Sequence, residues 1–259
     1  MGQTISIATR HGRISGWQAK PHTPPRGAVI VVQEIFGVNS HIRQVADRFA
    51  NYGYLAIAPA LFDLVSPGTE LAYDQEGVDR GRALAEELGF NGALDGVRGA
   101  FDLLEAENRV AVVGFCWGGS VAYLANARIG LPAVSYYGGR TVPFLHERPK
   151  APLMLHFGEN DPLIPPEDVA KHREALSSAE IHVWPGAGHG FNCDERGSFD
   201  AASAKLAAIN PQTAIAVNIA GMPPKPSSQP SEAEPMARPR LAMAMTVEEP
   251  WLCSVTPRP

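Results

Sequence analysis

The sequence predicts an α/β fold, in which a mostly parallel central sheet is covered by helices on both faces. Two observations carry this. Short apolar runs at 28–32, 110–113 and 153–157 lack the polar alternation of a half-exposed strand, so both of their faces must be buried. Between such runs lie longer segments whose apolar residues recur every three or four positions, the period of a helix packed on one side. Strands alternating with helices close into a parallel sheet through crossover connections, and chemistry in such sheets gathers at the carboxyl ends of the strands.

Each element follows in order. Two alternating segments, 3–9 and 13–19, flank Arg10, His11 and Gly12 and read as an opening hairpin. The buried strand at 28–32 ends in Gln33, Glu34, Ile35, Phe36 and Gly37. Ser40 is placed to cap a helix carrying Ile42, Val45, Ala46 and Phe49 on one face, and Gly53 stops it. A second buried strand spans 54–58, and 66–108 holds a loop and two helices, the second with Leu94, Val97, Phe101 and Leu104 aligned. After the strand at 110–113 come a helix near 118–127 and strands near 132–136 and 153–157. A helix at 167–176, a strand at 181–184 and the start of a last helix within 198–207 complete the pattern.

From residue 209 on the chain changes in kind, since ten of its 23 prolines fall between Pro211 and Pro259. Proline at that density sustains neither helix nor sheet, so the expected division is a folded domain at 1–208 and a disordered tail at 209–259.

Composition excludes several classes. A net charge of -5 with no dense Lys/Arg cluster gives no surface for nucleic acid. No apolar run is long enough to cross a bilayer, and the start lacks a signal-peptide layout, so no membrane partner is expected. Met1, Gly2 and Ser6 satisfy a loose acylation pattern, but they open an alternating stretch that reads as strand. The cysteines, Cys116, Cys193 and Cys253, are odd in number and lack CxxC spacing, which speaks against a disulfide framework and a zinc site. The reading is a cytoplasmic monomer that needs no metal.

The chemistry centres on Gly114, Phe115, Cys116, Trp117, Gly118 and Gly119, directly after the strand at 110–113. A thiol among small residues at a strand-to-helix junction has the form of a nucleophile elbow, with Cys in the place of Ser. A thiol is mostly protonated at neutral pH and needs a base and an orienting acid. Asp161 follows one strand and His189 the next, so the order nucleophile, acid, histidine is that of α/β-hydrolases.

QEIFG at 33–37, GFCWGG at 114–119, GENDPLIP at 158–165 and GAGHGF at 186–191 together resemble the dienelactone hydrolase (carboxymethylenebutenolidase) family, over residues 3–207. The resemblance implies the α/β-hydrolase fold, no cofactor and a small ester or enol-lactone substrate of aromatic compound catabolism. It implies Cys116 as nucleophile, forming an acyl-thioester, His189 as base and then acid, and Asp161 as orienter of the imidazole. It also implies that Glu34 contacts the resting thiol and takes its proton when substrate binds. By position, the backbone amides of Ile35 and Trp117 would hold the oxyanion.

Substrate recognition departs from the family pattern. A dienelactone carries a carboxylate, which guanidinium groups grip. Arg80 aligns with one family arginine and Arg82 stands beside it, whereas the second family arginine is replaced by Cys193, with Arg196 three residues on. Phe36, Tyr136 and Tyr137 are candidates to line the pocket. A general carboxylesterase or thioesterase of neutral substrates is the alternative reading. The family's long final helix also breaks off at Asn210 and Pro211, as a reading-frame change near codon 208 would produce. A poorly folded, non-catalytic product is therefore a rival reading.

Overall fold

A computed structural model describes residues 2–207. The hairpin of β1 (Gln3–Thr9) and β2 (Gly12–Ala19) leads into β3 (Ala28–Val32), α1 (Ser40–Asn51) and β4 (Leu55–Pro59). Then follow α2 (Gln75–Leu104), β5 (Val110–Phe115), α3 (Trp117–Leu124), β6 (Ala133–Tyr136), β7 (Leu153–Gly158), α4 (Pro166–Ala175) and β8 (Glu180–Trp184). The strand order is β1-β2-β4-β3-β5-β6-β7-β8, antiparallel at β1, β2 and β4 and parallel from β4 to β8.

The topology fixes where a site can form. From β3 the chain crosses to β4 on one side, and from β4 it returns to β5 on the other. The connections thus diverge at β3 and β5, which leaves a crevice at their carboxyl ends. Val32 pairs with Gly114 at that end, so the residues following each strand, Glu34 and Cys116, enter the same region. Every residue of β3 and β5 is buried, which explains why neither shows alternation.

Local details differ from expectation in three places. The cap of α1 is Asn39, whose extended backbone lets Oδ1 accept from Ile42 N at 3.2 Å. Ser40 is the first helical residue, and its hydroxyl donates instead to Glu195 Oε2 at 2.7 Å. The two helices of 66–108 meet without a loop, because Gly89 (φ 63, ψ 171) breaks α2 within one residue. After α3 the chain tightens into a π-turn over Ala125–Ile129, ended by left-handed Gly130.

Residues 201–207 are helical, with Asp200 Oδ1 accepting from Ser203 N at 2.7 Å. Tyr136 Oη donates to Ala207 O at 2.9 Å, tying this turn to β6. The expected tail and the expected loss of the final helix lie outside the described residues. Among the described residues, no helix is long and apolar enough to cross a membrane, and no group of three metal-binding side chains occurs.

Candidate active site

Cys116 stands between β5 and α3 with φ 55 and ψ −120, a conformation that L-residues rarely adopt. Holding it costs about 1–3 kcal/mol, supplied by surrounding contacts. Cys116 N donates to Tyr136 O at 2.9 Å, and Gly119 N donates to Cys116 O at 2.9 Å. Side chains are excluded around the turn. A Cβ at Gly114 would overlap the Gly118 carbonyl, and one at Gly118 would overlap the Gln33 carbonyl.

The sulfur faces a histidine whose far side is held by an acid. His189 Nε2 lies 3.1 Å from Cys116 Sγ, and His189 Nδ1 lies 2.8 Å from Asp161 Oδ2. The other oxygen, Asp161 Oδ1, accepts from Leu163 N at 2.9 Å, so the carboxylate cannot turn away. Burial works against a charged imidazole here, but the Cys116 sulfur and the Asp161 carboxylate outweigh it and hold His189 up to about 10. The ring therefore favours its protonated form. Tyr137, the other non-glycine residue with positive φ (41°) among the described residues, packs its ring 5.1 Å from that of His189. It is fully buried, and its hydroxyl has no hydrogen-bond partner among the described residues.

Glu34, at the end of β3, is buried. The resemblance implies contact with the resting thiol, but Glu34 Oε1 pairs with Arg196 Nη1 at 3.2 Å while Cys116 Sγ faces His189. A guanidinium is the strongest partner a buried carboxylate can find, and the imidazole occupies the sulfur. Glu34 Oε2 has no hydrogen-bond partner among the described residues. Arg196 lies over the rings of Phe36 and Tyr73, at 5.7 and 5.6 Å, so Phe36 supports the guanidinium.

Both amides expected to hold the oxyanion are free to donate. Trp117 N opens α3, where a helix leaves its amides unpaired, and neither it nor Ile35 N is engaged by another group among the described residues. The Ile35 carbonyl packs on Gly81 of α2 so closely that a Cβ there would overlap it. Arg80 and Arg82 flank Gly81, both exposed, and neither joins the site's hydrogen bonds among the described residues. The guanidinium that reaches the site is that of Arg196.

Four residues beside the site, His41, Asp194, Tyr73 and Asn39, escaped the reading of the sequence. His41 is fully buried in the first turn of α1, with Nδ1 3.0 Å from Asp194 Oδ1. Tyr73 Oη accepts from Asn39 Nδ2 at 3.0 Å and lies 3.3 Å from Cys193 Sγ. A histidine on the apolar face of α1, beside Ile42 and Val45, was the available signal for the first.

The dienelactone hydrolase family model matches residues 14–213. The chain belongs to the dienelactone hydrolase family. A protein named "Putative carboxymethylenebutenolidase" from Synechocystis is 32% identical over 77% of this chain and 90% of its own length. A carboxymethylenebutenolidase from Pseudomonas putida is 29% identical over 78% of this chain and 91% of its own length. The crystal structure titled "Putative Dienelactone Hydrolase" from Klebsiella pneumoniae superposes with a TM-score of 0.75 at 29% identity, covering 86% of this chain and 99% of that one. This dienelactone hydrolase family member is accordingly an α/β-hydrolase by fold and a hydrolase of the ester and lactone type by class.

Proposed function

We propose that this family member opens an ester or enol-lactone by way of a Cys116–His189–Asp161 triad and an acyl-thioester. The observation that carries the reading is the pair of contacts at His189, 3.1 Å to Cys116 Sγ and 2.8 Å to Asp161 Oδ2. The Cys116 thiolate attacks the carbonyl carbon, and the oxyanion that forms is held by the Ile35 and Trp117 amides. His189 gives its proton to the leaving oxygen, which in a lactone stays in the same molecule as an enol. His189 then takes a proton from water, the hydroxide attacks the thioester, and Cys116 leaves as a thiolate. Asp161 keeps the imidazole in the orientation and tautomer that both halves require.

Glu34 and Arg196 serve substrate recognition in this reading. A substrate carboxylate competes with Glu34 for Arg196, and the freed, buried Glu34 takes the thiol proton, which it returns to the Cys116 thiolate when product leaves and Glu34 pairs with Arg196 again. The exposed Arg80 and Arg82 are kept as rim residues that attract the anion, and Tyr137 as a wall of the pocket. The free thiols of Cys116 and Cys193 suit a reducing cytoplasm, with the enzyme acting as a monomer on a small molecule.

A general carboxylesterase or thioesterase is the second reading, favoured by the buried thiol of Cys193 where the family pattern has an arginine. Rates on a dienelactone and on a neutral aryl ester decide between them. Mass spectrometry after rapid acid quench should show Cys116 acylated, and Cys116→Ala should lose both the adduct and turnover. Full turnover by Cys116→Ala would overturn the proposal.

A further inference from the structure

Two segments meet over the site, and two ion pairs of opposite polarity join them. One segment runs from Glu34 through Asn39 into α1, and the other runs from His189 to Arg196. Glu34 of the first pairs with Arg196 of the second at 3.2 Å, whereas His41 of the first pairs with Asp194 of the second at 3.0 Å. Around the second pair, Arg48 stands 3.5 Å from Asp194 Oδ2, and Glu195 accepts from Ser40 Oγ at 2.7 Å and Gln44 Nε2 at 3.2 Å. Residues 194 and 195 are thereby fastened to one face of α1.

The backbone between this fastening and the site has little slack. Cys193 N donates to Gly190 O at 2.9 Å and Arg196 N donates to Cys193 O at 3.1 Å, so two successive turns connect His189 to Arg196. The His41 ring packs edge-on to Phe115, 6.1 Å away, the residue immediately before Cys116. A buried charged pair adds little net stability, because desolvation costs about as much as pairing returns, and its attested use is to fix register. The proposed chemistry uses neither His41 nor Asp194.

We propose that His41 and Asp194 are positioning residues that hold the 193–196 turn on α1, so that Arg196 stays aimed into the site when Glu34 releases it. The proposal rests on the reading that a substrate carboxylate displaces Glu34. His41 is faced by Asp194, with Arg48 beyond it, by Cys193 of the same turn and by Glu34 of the neighbouring strand end. Burial opposes its charge, but Asp194, Cys193 and Glu34 hold it up to about 9. Its Nε2 has no hydrogen-bond partner among the described residues, although the Cys193 sulfur acts on it electrostatically, so the bond to Asp194 sets the orientation of the ring.

The test uses Asp194→Asn and His41→Gln in the full chain, with phenyl hydrogen succinate as an anionic ester and its methyl ester as the neutral match. The KM for the anionic ester should rise about tenfold or more, by the cost of a misplaced binding group, while both constants for the neutral ester stay within about twofold. Calorimetric binding of succinate to Cys116→Ala, with and without Asp194→Asn, reads the anion site without turnover. It should weaken by the same factor, and it stands even if wild type hydrolyses neither ester, which would sink the function reading alone. Glu195→Ala, which loosens the same turn from its exposed side, should raise the anionic KM about threefold even if the buried variants fail to fold. Equal effects on the two esters, or unchanged KM and succinate binding, would overturn the positioning role.

Discussion

Glu34 Oε1 rests 3.2 Å from Arg196 Nη1, and the other oxygen of the same buried carboxylate has no hydrogen-bond partner among the described residues. The pair is therefore asymmetric: Arg196 retains its stacking on Phe36 and Tyr73 if Glu34 leaves, but Glu34 retains nothing if Arg196 is removed. Arg196→Met should destabilise the protein by about 3–5 kcal/mol, the cost of stranding a buried charge. Adding Glu34→Gln should recover much of that loss, because the stranded group becomes neutral. Urea melts of the two single variants and the double variant measure the coupling, and additivity would contradict it.

Asp161 tests the histidine from its far side. In Asp161→Asn the amide can still accept from Leu163 N, so the loop keeps its shape. It no longer holds Nδ1–H or supports the imidazolium, and kcat should fall by about 10³–10⁴ with KM within a few-fold. Cys116→Ser, which keeps the elbow, should leave the melting temperature close to wild type and remove nearly all turnover. Steady-state rates on an activated ester beside thermal melts read both outcomes.

What the sequence disclosed and what it withheld divide along sequence distance. Strands β3, β5 and β7 were legible because burial on both faces removes alternation, and that is a local signal. Cys116, Asp161 and His189 were legible because each follows such a strand amid small residues, and the structure brings them within hydrogen-bond reach. The cap of α1 was misplaced from Asn39 to Ser40 because Glu195, far along the chain, takes the Ser40 hydroxyl. The same cause hid His41, whose partner Asp194 comes from the loop after β8. Glu34 and Arg196 were each noticed, but nothing local says that they pair. Arg80 and Arg82 sit on the exposed side of α2 because Gly81 between them takes the contact with Ile35.

That contact makes Gly81 a handle on the proposed oxyanion site. A Cβ at position 81 would overlap the Ile35 carbonyl, and relief of that overlap shifts the Ile35 backbone, carrying with it the Ile35 amide on the other side of its Cα. Gly81→Ala should lower kcat by about 10²-fold, the usual cost of one lost oxyanion donor, with little change in KM. Gly92→Ala, in the part of α2 beyond the Gly89 break and facing only the flexible Leu88 side chain, is the control and should cost little. Equal losses in both variants would assign the effect to the helix and not to Ile35.

His189 links the site to stability through pH. Its protonated form is favoured in the folded state, with a pKa raised from 6.5 to about 10 by the Cys116 sulfur and Asp161 against the opposing effect of burial. A group raised on folding stabilises fully below its unfolded value and loses that contribution as pH climbs through the folded one. The stability difference between wild type and His189→Gln, about 2 kcal/mol in order of magnitude, should be greatest at or below pH 6.5 and shrink toward pH 10. His41, raised to about 9, titrates in the same window but is present in both proteins and cancels in the difference. Repeating the comparison in the Asp161→Asn background should move the decline to lower pH, since one of the groups holding the proton is gone. Urea melts from pH 6 to pH 10.5 follow the curve, and a difference that grows with pH would reverse the assigned sign and, with it, the charged state of the imidazole beside Cys116.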